Sequence, residues 1–275
     1  MLQKNIKNIN SIHDNSLQAI QEFVTDVINR FFRKYNIKYG EHDNCDLWLL
    51  HYFNFRLKFI EPIKRQVNIS TELETKLKDH PKKSIFNAIV QRALNGSDLN
   101  PFQSKGSFNS DRDDGLFNDW GIHHLHLNMN KINPIEYFNK RSDELVFVRF
   151  TTDAAYFIDM HSHNEKNLWS KKDLISIIQN NWNEIIQDKE IPDLRLTPDF
   201  NDEEIGTLRE KGYLTGVMVN EKSYLLLGHG QTSSGDNMMA GRLSDNVIRW
   251  IGLNKEMYEV DKRVFELELL KQLWL

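Results

Sequence analysis

The sequence predicts an α+β protein: a helical N-terminal part followed by an antiparallel β-sheet packed with helices. Three observations support this. Apolar residues in the first hundred positions recur at three- and four-residue steps. Beyond position 120, short runs rich in β-branched and aromatic residues alternate with turn residues. Between the two lies 96–119, GSDLNPFQSKGSFNSDRDDGLFND, whose Gly, Ser, Asn and Asp content reads as a long loop. The expected division is therefore a helical region over 1–100 and a histidine-rich α+β catalytic domain over 101–275.

The elements follow in order. Leu17, Ile20, Val24, Val27, Phe31 and Tyr35 form one helix face, with Gly40 after its end. DLWLLHYFNFRLKFIEP is long enough for a buried helix ending before Pro62. Phe53, Phe55, Leu57 and Phe59 also alternate as a strand would, but length favours the helix. KKSIFNAIVQRAL reads as an amphipathic helix closed by Gly96. GIHHLHLN, ELVFVRFTT and AAYFIDMHSH read as strands, the last two joined through TTDA as a hairpin.

A helix follows with Ser170 as N-cap and Asp173 three residues on, carrying Leu174, Ile177, Ile178, Trp182 and Ile185 on one face. GYLTGVMVNEKSYLLLGHG reads as a second hairpin turning at NEK. MMAGRLSDNVIRWI and the tail VDKRVFELELLKQLWL read as helices.

With 275 residues, 40% hydrophobic and 27% charged, the chain can bury a large core without disulfides. Its net charge of -4 offers no global basic field for nucleic acid, although a local basic cleft is compatible with that sum. Cys45 is the single cysteine, which leaves no internal disulfide and points to a reducing compartment, the cytoplasm. Its setting, HDNCDLWLL, reads as a small, partly buried residue rather than a nucleophile. MLQKNIKNIN lacks the apolar stretch of a secretion signal, and no membrane association is expected. Asp111, Asp113 and Asp114 are faintly like a calcium loop but lack its terminal Glu, so a solvated turn is expected.

Chemistry concentrates in the histidines. On a strand, alternate residues share a face, so GIHHLHLN places His124 and His126 with Ile122, and His123 with Leu125 and Leu127. His123 reads as a core histidine, and the pair as a site. FIDMHSH repeats the device, with Asp159, His161 and His163 expected on the face of Phe157. Two H-x-H pairs among ten histidines, one with an acid beside it, form the most specific chemical signal in the chain. Arg149, in LVFVRF, is placed near them by strand pairing and would suit a bidentate grip on an anion. In YLLLGHGQTSSGDNMM a strand enters a loop and then a helix, an arrangement that favours phosphate. Gly228, Gly230, Thr232 and Ser233 are its candidate contacts, with Gly235 completing the glycine pattern and His229 adding an acid/base group.

Two mechanisms fit. In one, His124, His126, His161 and His229 supply general base and acid around an RNA phosphate, with Arg149 and loop N–H groups stabilising charge. Histidine suits this because its ordinary pKa is near ~6.5, and no cofactor is then expected. In the other, His124, His126, Asp159, His161 and His163 bind a divalent metal (zinc, manganese or iron) that activates water.

The segments DWGIHHLHL, LVFVRFTTDAAYFIDMHSH and DLISIIQNNW resemble a group of bacterial proteins associated with toxin and phage-defence genes, over roughly residues 115–250. The helix-then-sheet layout is similar to compact ribonuclease toxins of the RelE and barnase-like type. That resemblance implies metal-free RNA cleavage by a few His, Arg, Lys or Glu residues on the sheet, and an antitoxin or defence-complex partner. No short signature of those toxins matches residue by residue, so no residue role is carried over. A third reading is a non-enzymatic binding component of such a complex. In it Trp48, Tyr52, Phe53, Phe55 and Phe59 supply a partner surface; the same residues also suit an ordinary aromatic core.

Overall fold

The computed structural model describes residues 2–42, 44–112, 114–213, 215–226 and 229–274, with side chains from Ser16 onward. The chain forms two compact units, one of residues 1–56, 108–111 and 239–275, the other of 57–107 and 112–238. None of the four changeovers between them falls at residue 100. The reason is that residues 66–95 belong with the sheet, to which they contribute a strand and two covering helices.

The first unit is helical. It contains α1 (Leu2–Lys34), most of α2 (Cys45–Lys58) and of α8 (Met238–Val260), and α9 (Lys262–Gln272). On α1 the residues fully removed from solvent are Ile20, Val24, Ile28 and Phe32, a four-residue step. Leu17 and Tyr35, at the ends of the expected face, are exposed. On α2, Trp48, Leu49, Tyr52, Phe53 and Phe55 are all buried, so the helix is apolar around most of its circumference. That explains why its aromatics also mimicked strand alternation. They pack against Phe31, Phe32 and Phe108, with ring centroids 5.2–6.4 Å apart, and are core rather than a partner surface.

The second unit holds a four-stranded sheet in the order β1-β4-β3-β2, with β1 at Gln66–Ile69, β2 at Ile122–His126, β3 at Glu144–Phe150 and β4 at Ala154–Ser162. β2–β3 and β3–β4 are antiparallel as expected, whereas β1, unforeseen, runs parallel to β4. One face carries Ile122, Leu145, Phe147 and Ile158. It packs against α5 (Gly115–Trp120), α6 (Lys172–Trp182) and the hairpin β5 (Val217–Val219)–β6 (Lys222–Tyr224). The other carries Leu125, Val146, Val148 and Phe157 and packs against α3 (Thr71–Leu77) and α4 (Lys83–Asn95). Both faces are therefore dry.

Local signals account for much of this. At the β5–β6 turn, Asn220 and Glu221 take φ of 47° and 65°, the left-handed pair that a two-residue hairpin requires. α3, α5 and α7 (Asp202–Glu210) were not expected, yet each begins at a capping side chain: Ser70, Asp114 and Asn201. Ser170 does not cap α6. Its hydroxyl bonds Asn167 O and Asp202 O, while Asp202 Oδ1 accepts from Lys172 N at 3.0 Å. A carboxylate from another helix has replaced the local cap. Among the described residues, no helix is long and apolar enough to cross a membrane.

One irregularity redirects the site. A bulge between Phe147 and Val148 leaves Ile158 as an extra residue on β4, so Phe157 pairs with Val148 and Asp159 with Phe147. Asp159 and His161 therefore lie on the Phe147 face, opposite Phe157 and not beside it as even alternation implied.

Gly96 ends α4 with φ of 71°, and a Cβ there would lie 2.7 Å from Lys64 N. Gly96→Ala is expected to cost at least about 1 kcal/mol, from the left-handed backbone and the backbone clash together. Chemical denaturation measures this, and an unchanged midpoint would contradict the assignment.

Candidate active site

β2 separates its histidines by face, as alternation requires. His123 lies between Phe117 and Phe150, with ring centroids 4.8 and 5.3 Å away, and burial pushes its pKa down to about 4. It is a neutral core residue. His124 and His126 share the opposite face, but α5 and the approach to α6 cover that face, so the pair does not point into solvent.

His126 is 3% exposed, and burial holds its pKa at about 4. Its Nδ1 lies 3.2 Å from Ser142 N, and its ring stacks at 6.1 Å on His163. His161 sits between two carboxylates: Nε2 is 2.9 Å from Asp159 Oδ2, and Nδ1 is 2.8 Å from Glu165 Oε2. Lys76 Nζ reaches Asp159 Oδ2 at 2.7 Å, and Lys171 Nζ reaches Glu165 Oε1 at 2.6 Å. Burial pushes the Asp159 carboxyl up, but His161 and Lys76 outweigh it and leave it below the usual range. This is a continuous chain of polar contacts in which each imidazole nitrogen lies against a carboxylate, and it links β4, α3 and the start of the next helix.

His124 and His163 meet elsewhere. They line a cavity of about 310 Å³ with Lys58, Arg112, Arg141, Asp114 and Trp169. Three basic side chains line it against one carboxylate. Lys58 is buried, and its Nζ donates to Arg112 O at 2.6 Å. Gly106 leaves room for the Arg112 guanidinium, since a Cβ there would lie 2.0 Å from Nη1. Asp114, expected in a solvated turn, is instead partly buried and engaged. Its Oδ1 caps α5 at Phe117 N, while Oδ2 lies 3.6 Å from His124 Nδ1. Burial lowers the His124 pKa and Asp114 opposes it, leaving a neutral imidazole with Nε2 as the nitrogen available to a ligand.

Trp169 lies 4.8 Å from His124 and 5.9 Å from His163 between ring centroids. Arg209 fixes it by donating to Trp169 O at 2.6 Å while pairing with the buried Asp119. Burial outweighs that arginine and raises the Asp119 pKa to about 6.

The remaining expected site residues are not brought to this cavity. Arg149 pairs with Ile122 and Tyr156, at the opposite end of the strands from His161. It is partly buried and faces Asp188, to which His229 Nε2 also approaches at 3.9 Å. Gly228 and Asp113 lie outside the described residues. The glycine-rich loop spends its N–H groups on its own unit: Gly230 N on Asn118 O, Thr232 N on Asp236 O, and Gly235 N on Thr232 O. Ser233 is exposed on this loop. Those three N–H groups are committed to the local structure, while Thr232, Ser233 and Gly235 line a separate pocket with Arg209 and Lys211.

Among the described residues the H-x-H residues do not converge as one group of ligand atoms: Ser142, Glu165 and Lys76 engage His126, His161 and Asp159, while His124 and His163 line the cavity. Among the described residues, the ligand atoms that do converge belong to His42, His51 and Asp111. Cys45 is buried, and its thiol is pushed up to about 12, which rules it out as a thiolate nucleophile at neutral pH. Lys58, Arg112 and Arg141 escaped the sequence reading because each comes from a different segment. Compared with protein-family models, curated proteins and solved structures, the chain matches none.

His123 and His126 bind protons more weakly folded, at about 4, than unfolded, near ~6.5. Their contribution to stability is complete above pH ~6.5 and is lost as pH falls toward 4. Denaturant titrations at pH 7, 6 and 5 are expected to show that loss, and His123→Phe to reduce it. A pH-independent midpoint over this range would refute the neutral-core assignment.

Proposed function

We propose that the His124–His163 cavity binds a phosphodiester of RNA and cleaves it by general acid–base catalysis, as an endoribonuclease-like toxin or phage-defence effector of the cytoplasm. The observation that carries this reading is the charge imbalance: Lys58, Arg112 and Arg141 against Asp114, around two imidazoles and a tryptophan. A volume of about 310 Å³ is at the low end of the ~300–1,000 Å³ range of small-ligand pockets and suits one nucleotide unit. The single buried cysteine supports a reducing compartment.

In this mechanism neutral His124 takes the proton of the ribose 2′-hydroxyl, with its other nitrogen held toward Asp114. The 2′-oxygen attacks phosphorus, the bond to the 5′-oxygen breaks, and His163 gives that oxygen a proton. The products are a 2′,3′-cyclic phosphate and a free 5′-hydroxyl. Arg112, Arg141 and Lys58 stabilise the charge that builds on the non-bridging oxygens. Trp169, 39% exposed at the cavity, stacks a neighbouring base. An antitoxin or other partner would act by covering the mouth that Arg141 and Trp169 leave exposed.

The test is RNA cleavage by the full chain in EDTA. His124→Ala and His163→Ala are each expected to lose roughly 10²–10⁴-fold in rate. Arg112→Ala and Gly106→Ala, which displaces Arg112, are expected to raise KM. His229→Ala, away from the cavity, should leave the rate unchanged. Absence of cleavage of any RNA by the folded wild type removes the proposal; cleavage that survives both histidine substitutions moves it away from this cavity.

A further inference from the structure

The helical unit contains a second histidine cluster that the cavity chemistry does not use. His42, in the loop after α1, and His51, on α2, stack with centroids 4.1 Å apart and planes 2° apart. Asp111, from the segment 108–111, places Oδ1 3.2 Å from His51 Nδ1 and 3.7 Å from His42 Nε2. One ligand atom from each residue lies within 4.8 Å of the others.

Ordinary hydrogen bonding does not explain this arrangement. His51 Nδ1 is buried and makes no hydrogen bond among the described residues, although a carboxylate oxygen is only 3.2 Å away. Leaving such an atom unsatisfied is unfavourable. The carboxylate is meanwhile fixed from behind, with Oδ1 accepting from Ser110 Oγ and Oδ2 from Gly40 N, both at 2.8 Å. Outer partners of this kind orient metal ligands. Trp48 sets the His42 ring edge-on at 5.0 Å. With metal–ligand bonds of ~2.0–2.2 Å, the edge of a tetrahedral site is roughly 3.4 Å. The two nitrogen–oxygen separations, 3.2 and 3.7 Å, bracket it.

We propose that His42, His51 and Asp111 bind one divalent transition-metal ion of the zinc class, with its remaining position open beside the exposed Asp111. Two imidazoles and a carboxylate suit zinc, manganese or iron. The ion ties together the loop after α1, helix α2 and the segment 108–111. This site is independent of the RNA reading and stands or falls separately from it.

Full-length protein stripped with chelator and freed of any tag is titrated with Zn²⁺, and with Co²⁺ for its visible bands. The expected result is uptake of one equivalent and a raised Tm, with both lost in His51→Ala and Asp111→Asn but kept in His124→Ala. Should His51→Ala not fold, imidazole NMR of the wild type decides: zinc is expected to shift two histidines, those of His42 and His51. No uptake by the wild type, or uptake that shifts other histidines and survives Asp111→Asn, overturns the proposal.

Discussion

A sheet covered on both faces has no solvent side on which to display ionisable groups, and the rest of the second unit follows from this. Each histidine on β2, on β4 or directly after it must be buried neutral, engaged by charged partners, or brought to an opening. His123 and His126 take the first course, His161 the second, and His124 with His163 the third. The dry faces come from residues such as Phe147 and Ile158 on one side and Val148 and Phe157 on the other. Hydrophobic burial, which drives the fold, also sorts these imidazoles by chemical role.

The same constraint gives the cavity its character. Its cations arrive from the end of α2, the loop before α5 and the segment before β3, where the covering helices leave a gap at one end of the sheet. Lys58 is buried and its Nζ donates to a carbonyl, whereas Arg112 and Arg141 are exposed residues at the cavity. Surplus positive charge in a partly closed space acts through a low effective dielectric, so an anion is held more strongly there than by the same residues on an open surface. The net charge of -4 conceals this local excess.

Much of the fold was legible because its signals are local. Gly96 closing α4, Asn220 and Glu221 turning the second hairpin, and the face-splitting of GIHHLHLN each depend on neighbours a few residues away. What was hidden depends on distant partners. The parallel β1–β4 pairing assigns residues 66–95 to the sheet, and no short-range pattern announces it. Asp202 replaces Ser170 at the start of α6 from 30 residues away. Of the residues expected at the site, His124 and His163 share a cavity, while Arg149 and His229 face Asp188. The β3–β4 pairing was read correctly, but register decides which end of a strand a residue occupies. His42 and His51, nine positions apart across a loop and a helix, carry no spacing signal at all.

The bulge at Ile158 gives β4 two phases. Residues 154–157 follow one alternation and residues 159–162 the other, and the extra residue between them is what lets both halves bury their apolar side chains. Chain length at this point is therefore as informative as residue identity. A one-residue deletion at 158 would turn His161 away from Glu165 and drive Met160 onto the wrong face, although every remaining residue kept its chemical type. An insertion or deletion beyond Ser162, in the turn that follows, disturbs no such phase. Along this strand, evolution is free to exchange side chains of similar size but not to change the count.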